Sequence, residues 1–196
     1  RTMLDHIMTT AQKITDKISI VVGIDKEGVE EEIQNIGINA NTYLQKEQIG
    51  TADAVKTILN EIEQTEKILV LYGDVHLIKE ETLKKLCNQK SDLSILTTNL
   101  ENPTGYGRTI KDKENNVLKV IEEKDADSEE KKIKEIFTGI LATNGKILKK
   151  HIPEISNNNA AREFYLTDLI GIANNNGFKI NTLSSSNEET AGANSR

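Results

Sequence analysis

Cysteine is scarce in this chain: among 196 residues only Cys87 is one, which rules out a disulfide within the chain and any thiolate-held metal cluster. Cys87 lies on the apolar side of Leu83 and Leu86, where a buried packing residue is expected. Basic charge is also short, with 25 Lys and Arg against 31 Asp and Glu and a net charge of −6. No positive field therefore gathers a polynucleotide or an anionic membrane. A small phosphorylated ligand is still within reach, because a few lysines and backbone amides bind one inside an acidic protein. No apolar run approaches the length of a membrane span, and residues 1–20 lack the charged start and continuous apolar core of a signal peptide. The expectation is a cytoplasmic protein with neither nucleic acid nor membrane as partner. No repeat recurs, and in particular no hexapeptide period of a β-helix. His6, His76 and His151 share no metal-ligand spacing, and no serine or cysteine stands as an activated nucleophile.

What is present alternates between helical and strand-like patterns. Leu4, Ile7, Met8, Ala11 and Ile14 recur at helical spacing, and the β-rich run from Ile18 to Val22 follows. A polar helix from Lys26 to Asn35, a short strand from Asn41 to Leu44, and a helix bearing Ala54, Val55, Ile58, Leu59 and Ile62 on one face come next. Lys67 to Tyr72 is an unbroken apolar run of the kind buried on both faces of a parallel sheet. A helix over 79–88 and a strand over 92–98 complete another unit. The pattern implies one α/β domain over 1–196, with an open, doubly wound, mostly parallel sheet and helices on both faces.

After Asn102-Pro-Thr-Gly-Tyr-Gly107 the pattern changes. Short strands from Arg108 to Lys111 and from Val117 to Glu122 flank a turn at Glu114–Asn116, which reads as a small β-hairpin excursion. A charged helix from Ser128 to Lys134, capped by Ser128, is expected next. A strand from Ile136 to Ala142, a helix from Glu163 to Asn174, a strand from Phe178 to Leu183 and a polar tail finish the chain.

Six segments could carry chemistry. Tyr72, Gly73 and Asp74 end the strongest strand, and ligands of open α/β sheets bind outside the carboxyl ends of strands. Asp74 there suits a hard cation, although a turn or cap aspartate is an equal alternative. Gln45 to Ala54 is a polar turn whose Gly50 amide and Thr51 hydroxyl could meet a base edge or an anion; Thr51 could equally only cap its helix. Pro103 to Arg108 holds two glycines that allow close backbone approach. Glu122 to Asp125 reads as a charge run at a hairpin end. Asn159 to Asp168 opens an amphipathic helix, and Gly192 to Arg196 reads as a frayed terminus.

In order along the chain, the strings QKEQIGTADAV, VLYGDVHLI, NPTGYGRTI, VIEEKDADSEEKKIKEIFTGI, NNNAAREFYLTDLI and AGANSR resemble the uridyltransferase domain of bacterial N-acetylglucosamine-1-phosphate uridyltransferases, of the nucleotidyltransferase superfamily. The resemblance spans nearly the whole chain. It implies transfer of a uridylyl group from UTP to N-acetylglucosamine 1-phosphate, giving UDP-N-acetylglucosamine for the cell envelope (peptidoglycan and lipopolysaccharide) and releasing pyrophosphate. Carried over by position, Asp74 and Asn194 match two Mg²⁺ ligands, and Gln45, Gly50 and Thr51 match contacts to uracil. Tyr72 and Gly73 precede the metal ligand along the cleft. Gly107 and Glu122 match contacts to the sugar, and Glu163, Tyr165 and Thr167 match the lining of the acetylated sugar's pocket. Since the sugar phosphate is itself the nucleophile, positioning and charge neutralisation suffice and no catalytic triad is implied.

The chain also departs from the family's pattern. The family's opening strand, Gly-rich phosphate loop and helix precede the stretch that Arg1-Thr-Met-Leu resembles, and neither they nor an acetyltransferase β-helix has a counterpart in these residues. That strand belongs centrally in the sheet, so unpaired edges and a monomer or weak self-association are expected. Phe137 stands where the family has a sugar-binding Asn, Ala52-Asp53 replaces Gly-His, and His76 replaces a proline. Two alternatives therefore stand beside uridylyl transfer: a remnant or binding module without turnover, and a relative using another nucleotide.

Overall fold

A computed structural model describes residues 2–191. Its first elements are α1 (Met3–Gln12), β1 (Ser19–Val22), α2 (Lys26–Ile36), β2 (Asn41–Leu44) and α3 (Thr51–Lys56). Then come β3 (Lys67–Val70), α4 (Glu80–Cys87), β4 (Leu93–Asn99), β5 (Arg108–Lys111), β6 (Val117–Ile121) and β7 (Glu135–Asn144). α5 (Gly145–His151), α6 (Asp168–Asn175), β8 (Ile180–Ser184) and α7 (Asn187–Thr190) complete the order. Helix ends follow local chemistry. The Thr2 hydroxyl accepts the Asp5 amide of α1, Asp25 accepts the Gly28 amide of α2, and α2 stops at Gly37 in the left-handed region. Among the described residues no helix is long and apolar enough to cross a membrane.

The ten-residue β7 is the hub of the main sheet. Along one side it pairs with β4, and on the other it pairs with β5 at its start and β3 at its end, antiparallel in every case. β4 also pairs in parallel with β8, and β6 pairs antiparallel with β5. β1 and β2 form a separate parallel pair. The expectation of a mostly parallel sheet is therefore corrected: the main sheet is mixed and mostly antiparallel. The cause is the hairpin of β5 and β6. Parallel neighbours need a crossover along the sheet face, whereas the chain leaves β4, makes the hairpin and returns beside β4 in the opposite sense. β3, β4 and β8 keep a common direction, with the reversed β7 between β3 and β4.

Alternating side chains give the sheet two apolar faces. Leu93, Ile95 and Leu141 join Ala52 and Val55 of α3, Ile147 and Leu148 of α5, and Leu169, Ile170 and Ala173 of α6. Their neighbours Leu96, Ile140 and Ala142 join Leu83 and Leu86 of α4 on the other face. Helices thus cover both faces, as expected. Cys87 packs at the edge of the α4 cluster and is only half-buried. A third cluster, around Met8, Ile33 and Ile38, serves α1, α2, β1 and β2.

Two expected helices are corrected. Residues 128–134 form only one tight turn, Glu130–Lys132. Asp127, not Ser128, caps it, its carboxylate accepting the Glu129 and Glu130 amides at 2.9 and 2.8 Å. The helix expected from Glu163 starts only at Asp168, because the Phe164 backbone is held in another pairing, described below. Asn187 to Thr190, read as polar tail, forms the short helix α7.

Candidate nucleotide and sugar site

The turn from β2 to α3 and the loop before α6 are zipped together. Phe164 N–H donates to Ile49 carbonyl at 2.8 Å, Ala52 N–H donates to Phe164 carbonyl at 2.8 Å, and Leu166 N–H donates to the Thr51 hydroxyl at 2.9 Å. Gly50 makes this possible. Its φ is +130°, and a Cβ there would stand 2.3 Å from the Phe164 carbonyl oxygen, so only glycine lets the backbones approach so closely. Residues 115 positions apart in sequence are thereby fixed side by side.

Tyr72, just beyond β3, closes this surface. Burial pushes its hydroxyl pKa up to about 12, against the opposing hydrogen bond with Thr51. Its ring lies on Gly139 of β7, where φ is +91° and a Cβ would meet the ring at 2.7 Å. Thr51 therefore joins α3, the β3 end and the loop before α6, a larger role than capping a helix.

A carboxylate-rich cleft of about 260 Å³ is lined by Glu122, Glu163, Tyr165, Gly105, Lys124 and others. The Thr167 hydroxyl donates to Glu122 at 3.1 Å. Burial still raises the Glu122 pKa above the usual carboxylate range, with the charges of Asp168, Asp125 and Glu163 adding to it. Asp168 is raised by burial and by Asp125. Tyr165 is pushed up to about 12 by burial and by the charges of Asp125, Glu122 and Glu163. Gly107 is buried at the start of β5, its carbonyl accepting Phe137 N–H at 2.9 Å. A Cβ at Gly107 would lie 3.7 Å from a Glu122 oxygen.

The structure thus brings together Gln45, Gly50, Thr51, Tyr72, Gly107, Glu122, Glu163, Tyr165 and Thr167. Gly73 and Asp74 follow Tyr72 in the turn beyond β3, Gly73 exposed and Asp74 half-buried. Asn194 lies outside the described residues. Among the described residues no group of three or more His, Cys, Asp or Glu could hold a metal. A cation at Asp74 would have to draw on other oxygens, as Mg²⁺ does when it keeps waters and phosphates as ligands. Near Asp74, the His6 and His76 rings lie 6.2 Å apart, and His76 Nδ1 is 3.2 Å from the Asp74 carbonyl oxygen.

Several contributors escaped the sequence. Asp125 and Asp168 were hidden in charge-rich strings. Arg108 is fully buried on β5, and Nη2 sits 2.7 Å from Glu123 and 3.3 Å from the Lys131 carbonyl. It also bonds the Tyr106 carbonyl, so it ties the Gly107 turn to the strand end carrying Glu122. An Arg beginning a hairpin strand gives no sign of burial. Phe137 is 5% exposed and belongs to the main core.

A family model described as "Nucleotidyl transferase" matches residues 1–185. The chain belongs to the nucleotidyl transferase family. Relatives include the bifunctional protein GlmU of Clostridioides difficile (strain 630), 42% identical over 200 residues, 99% of this chain and 43% of the relative. GlmU of Francisella tularensis subsp. novicida (strain U112) is 40% identical over 200 residues, 100% of this chain and 43% of the relative. The chain therefore spans less than half the length of these curated relatives. Among solved structures, the inositol-1-phosphate CTP transferase from T. maritima superposes with a TM-score of 0.72 at 14% identity, over 93% of this chain and 72% of that one. At that identity the likeness is one of fold.

Proposed function

We propose that this chain carries a sugar-phosphate nucleotidyl transfer site that moves a uridylyl group from UTP to N-acetylglucosamine 1-phosphate. A phosphate oxygen of the sugar phosphate attacks the α-phosphorus of UTP, the bond to the β-phosphate oxygen breaks, and pyrophosphate leaves as UDP-N-acetylglucosamine forms. The reading rests on membership of the nucleotidyl transferase family, on the kinship to GlmU, and above all on the zip between Ile49–Ala52 and Phe164–Leu166. That zip makes one continuous surface of the residues assigned to the base and those assigned to the sugar.

Gln45, Gly50 and Thr51 hold the uracil. Tyr72 and Gly73 lead along the cleft toward the phosphates, and burial, which raises the Tyr72 pKa to about 12, keeps its hydroxyl a hydrogen-bonding group. Gly107, Glu122, Glu163, Tyr165 and Thr167 hold the sugar, with Glu122 as an acceptor for a sugar hydroxyl. The cleft of about 260 Å³ falls below the ~300–1,000 Å³ of sites for drug-sized ligands and suits a single sugar ring. Mg²⁺, held by Asp74 with Asn194, would supply charge neutralisation at the phosphates. The protein's remaining task is alignment, which by itself lowers a bimolecular barrier substantially.

One observation favours a neighbouring reading. Phe137, in the position where the resemblance expects a sugar-binding Asn, gives its side chain to the core and offers only backbone near Gly107. A different sugar phosphate, or a different nucleotide, is the second reading. The test is pyrophosphate release by the folded chain with Mg²⁺ over a panel of UTP, CTP, GTP and dTTP against N-acetylglucosamine 1-phosphate and other hexose 1-phosphates. Release with UTP and the acetylated sugar, abolished by Asp74→Ala, supports the proposal. Release only with another pair supports the second reading, and no release above a blank from any pair sinks both.

A further inference from the structure

We infer that Asp53 sets the base preference of this site by locking the side-chain amide of Gln45 in one orientation. The inference rests on the uridylyl-transfer reading, in which Gln45 meets the base. The Gln45 amide nitrogen lies 3.1 Å from the Gly50 carbonyl oxygen and 3.0 Å from a carboxylate oxygen of Asp53. Both partners only accept, so the two amide hydrogens are spent on them. A glutamine amide is ordinarily free to exchange its oxygen and nitrogen by a half-turn. Here the half-turn would put its carbonyl oxygen against two oxygens, one of them charged, and would forfeit both bonds.

The carboxylate that does this is itself held in place. Asp53 occupies the first turn of α3, and that turn cannot slide. Its Thr51 hydroxyl accepts Leu166 N–H, and its Ala52 amide donates to the Phe164 carbonyl. The Gly50 carbonyl, the second partner, also accepts the Ala54 amide at 3.2 Å.

A locked amide has chemical consequences. Gln45 can offer a base only its carbonyl oxygen, an acceptor. Uracil carries an N–H donor at N3 and satisfies it. Cytosine carries a bare N3 lone pair at the same ring position, which faces that oxygen with two acceptors and no proton between them. A free glutamine would rotate and serve either ring. Asp53 thus turns an ambivalent amide into a reader of N3–H, and the preference comes from a residue that need not touch the base.

The experiment uses calorimetric titration of the 196-residue chain, in Mg²⁺, with UTP, CTP and N3-methyl-UTP, alongside the Asp53→Ala and Asp53→Asn variants. The wild type is expected to bind UTP more tightly than either of the others. Asp53→Ala is expected to lower the UTP-to-CTP affinity ratio about tenfold, the weight of one partly buried polar group left facing the wrong partner. Asp53→Asn keeps a neutral acceptor and is expected to restore part of the ratio. The side-chain amide signals of Gln45 in a ¹⁵N correlation spectrum should move in both variants, without any nucleotide. An equal loss of UTP and CTP affinity in Asp53→Ala would mark a merely structural role and overturn the inference. So would unchanged ratios in both variants, or a wild type indifferent between UTP and CTP; in each of these the uridylyl-transfer reading survives. A folded wild type that binds no nucleotide overturns that reading, and the inference with it.

Discussion

Replacing Gly50 with alanine strikes the contact that joins the two halves of the site, and its cost follows from the geometry. Gly50 has φ +130°, a region in which a residue with a Cβ carries about 1–3 kcal/mol of strain. The new methyl would also stand 2.3 Å from the Phe164 carbonyl oxygen and 2.5 Å from its nitrogen. Those are the two atoms that bond Ala52 and Ile49, so relieving the clash opens both hydrogen bonds, each worth about 0.5–1.5 kcal/mol. The sum is about 2–6 kcal/mol. For a chain of this length each kcal/mol moves the melting temperature by ~2–4 °C, so a fall of about 10 °C is expected. Gly37 is the control. It too has positive φ, +76°, but no atom lies within 4 Å of its added Cβ, so alanine there costs only the local strain of about 1–2 kcal/mol. Thermal melts of both variants, with a calorimetric titration of UTP, decide the matter. If Gly50→Ala melts within 2 °C of Gly37→Ala and binds UTP like the wild type, the zip does not hold the site together.

Two other perturbations test the site's electrostatics and its support. Glu122 is held above the ordinary carboxylate range by burial, so the folded state binds its proton more tightly than the unfolded chain. Its stabilising contribution is present below the unfolded pKa and lost as pH rises through the folded pKa. Glu122→Gln keeps the oxygen that accepts the Thr167 hydroxyl, so the variant should melt higher than the wild type at pH 8, and the difference should shrink as pH falls through the folded pKa and vanish below the unfolded one. A difference independent of pH would contradict this. Arg108→Met strands Glu123 without its guanidinium partner and releases the Tyr106 and Lys131 carbonyls. It should lower the melting temperature more than Glu123→Gln does, and the double variant should lose less than the sum of the two. Additivity in that cycle would show that the pair is not coupled.

Much of the architecture was legible in residue patterns. The strand Asn41–Leu44 and the hairpin strand Arg108–Lys111 fall where alternation put them, and helices do cover both sheet faces. Strand direction was not legible. The run from Lys67 looks like a strand of a parallel sheet because it is apolar throughout, yet that signals burial on two faces and not the sense of its neighbour, which is the reversed β7. The helix expected from Glu163 failed for a similar reason. Apolar spacing fits a helix from that residue, but the Phe164 backbone is committed to Ile49 and Ala52, more than a hundred positions away.

The candidate site divides along the same line. Gly50, Thr51, Glu122 and Thr167 come from short strings whose order along the chain pointed to a family, although each string alone reads as a cap, a turn or a charge run. The buried Arg108, the glycine at 139 on which Tyr72 rests, and the grip of Asp53 on Gln45 are products of folding. No local pattern encodes them, because their partners are set by tertiary packing.

The most direct measurement is a titration of the chain with UDP-N-acetylglucosamine and Mg²⁺, followed by backbone amide shifts in a ¹⁵N correlation spectrum. If one surface serves both base and sugar, the amides of residues 45–54 and those of residues 163–168, with 107 and 122, move together and saturate along a single binding curve. Shifts confined to one group, or two groups saturating at different concentrations, would contradict a joined nucleotide and sugar site.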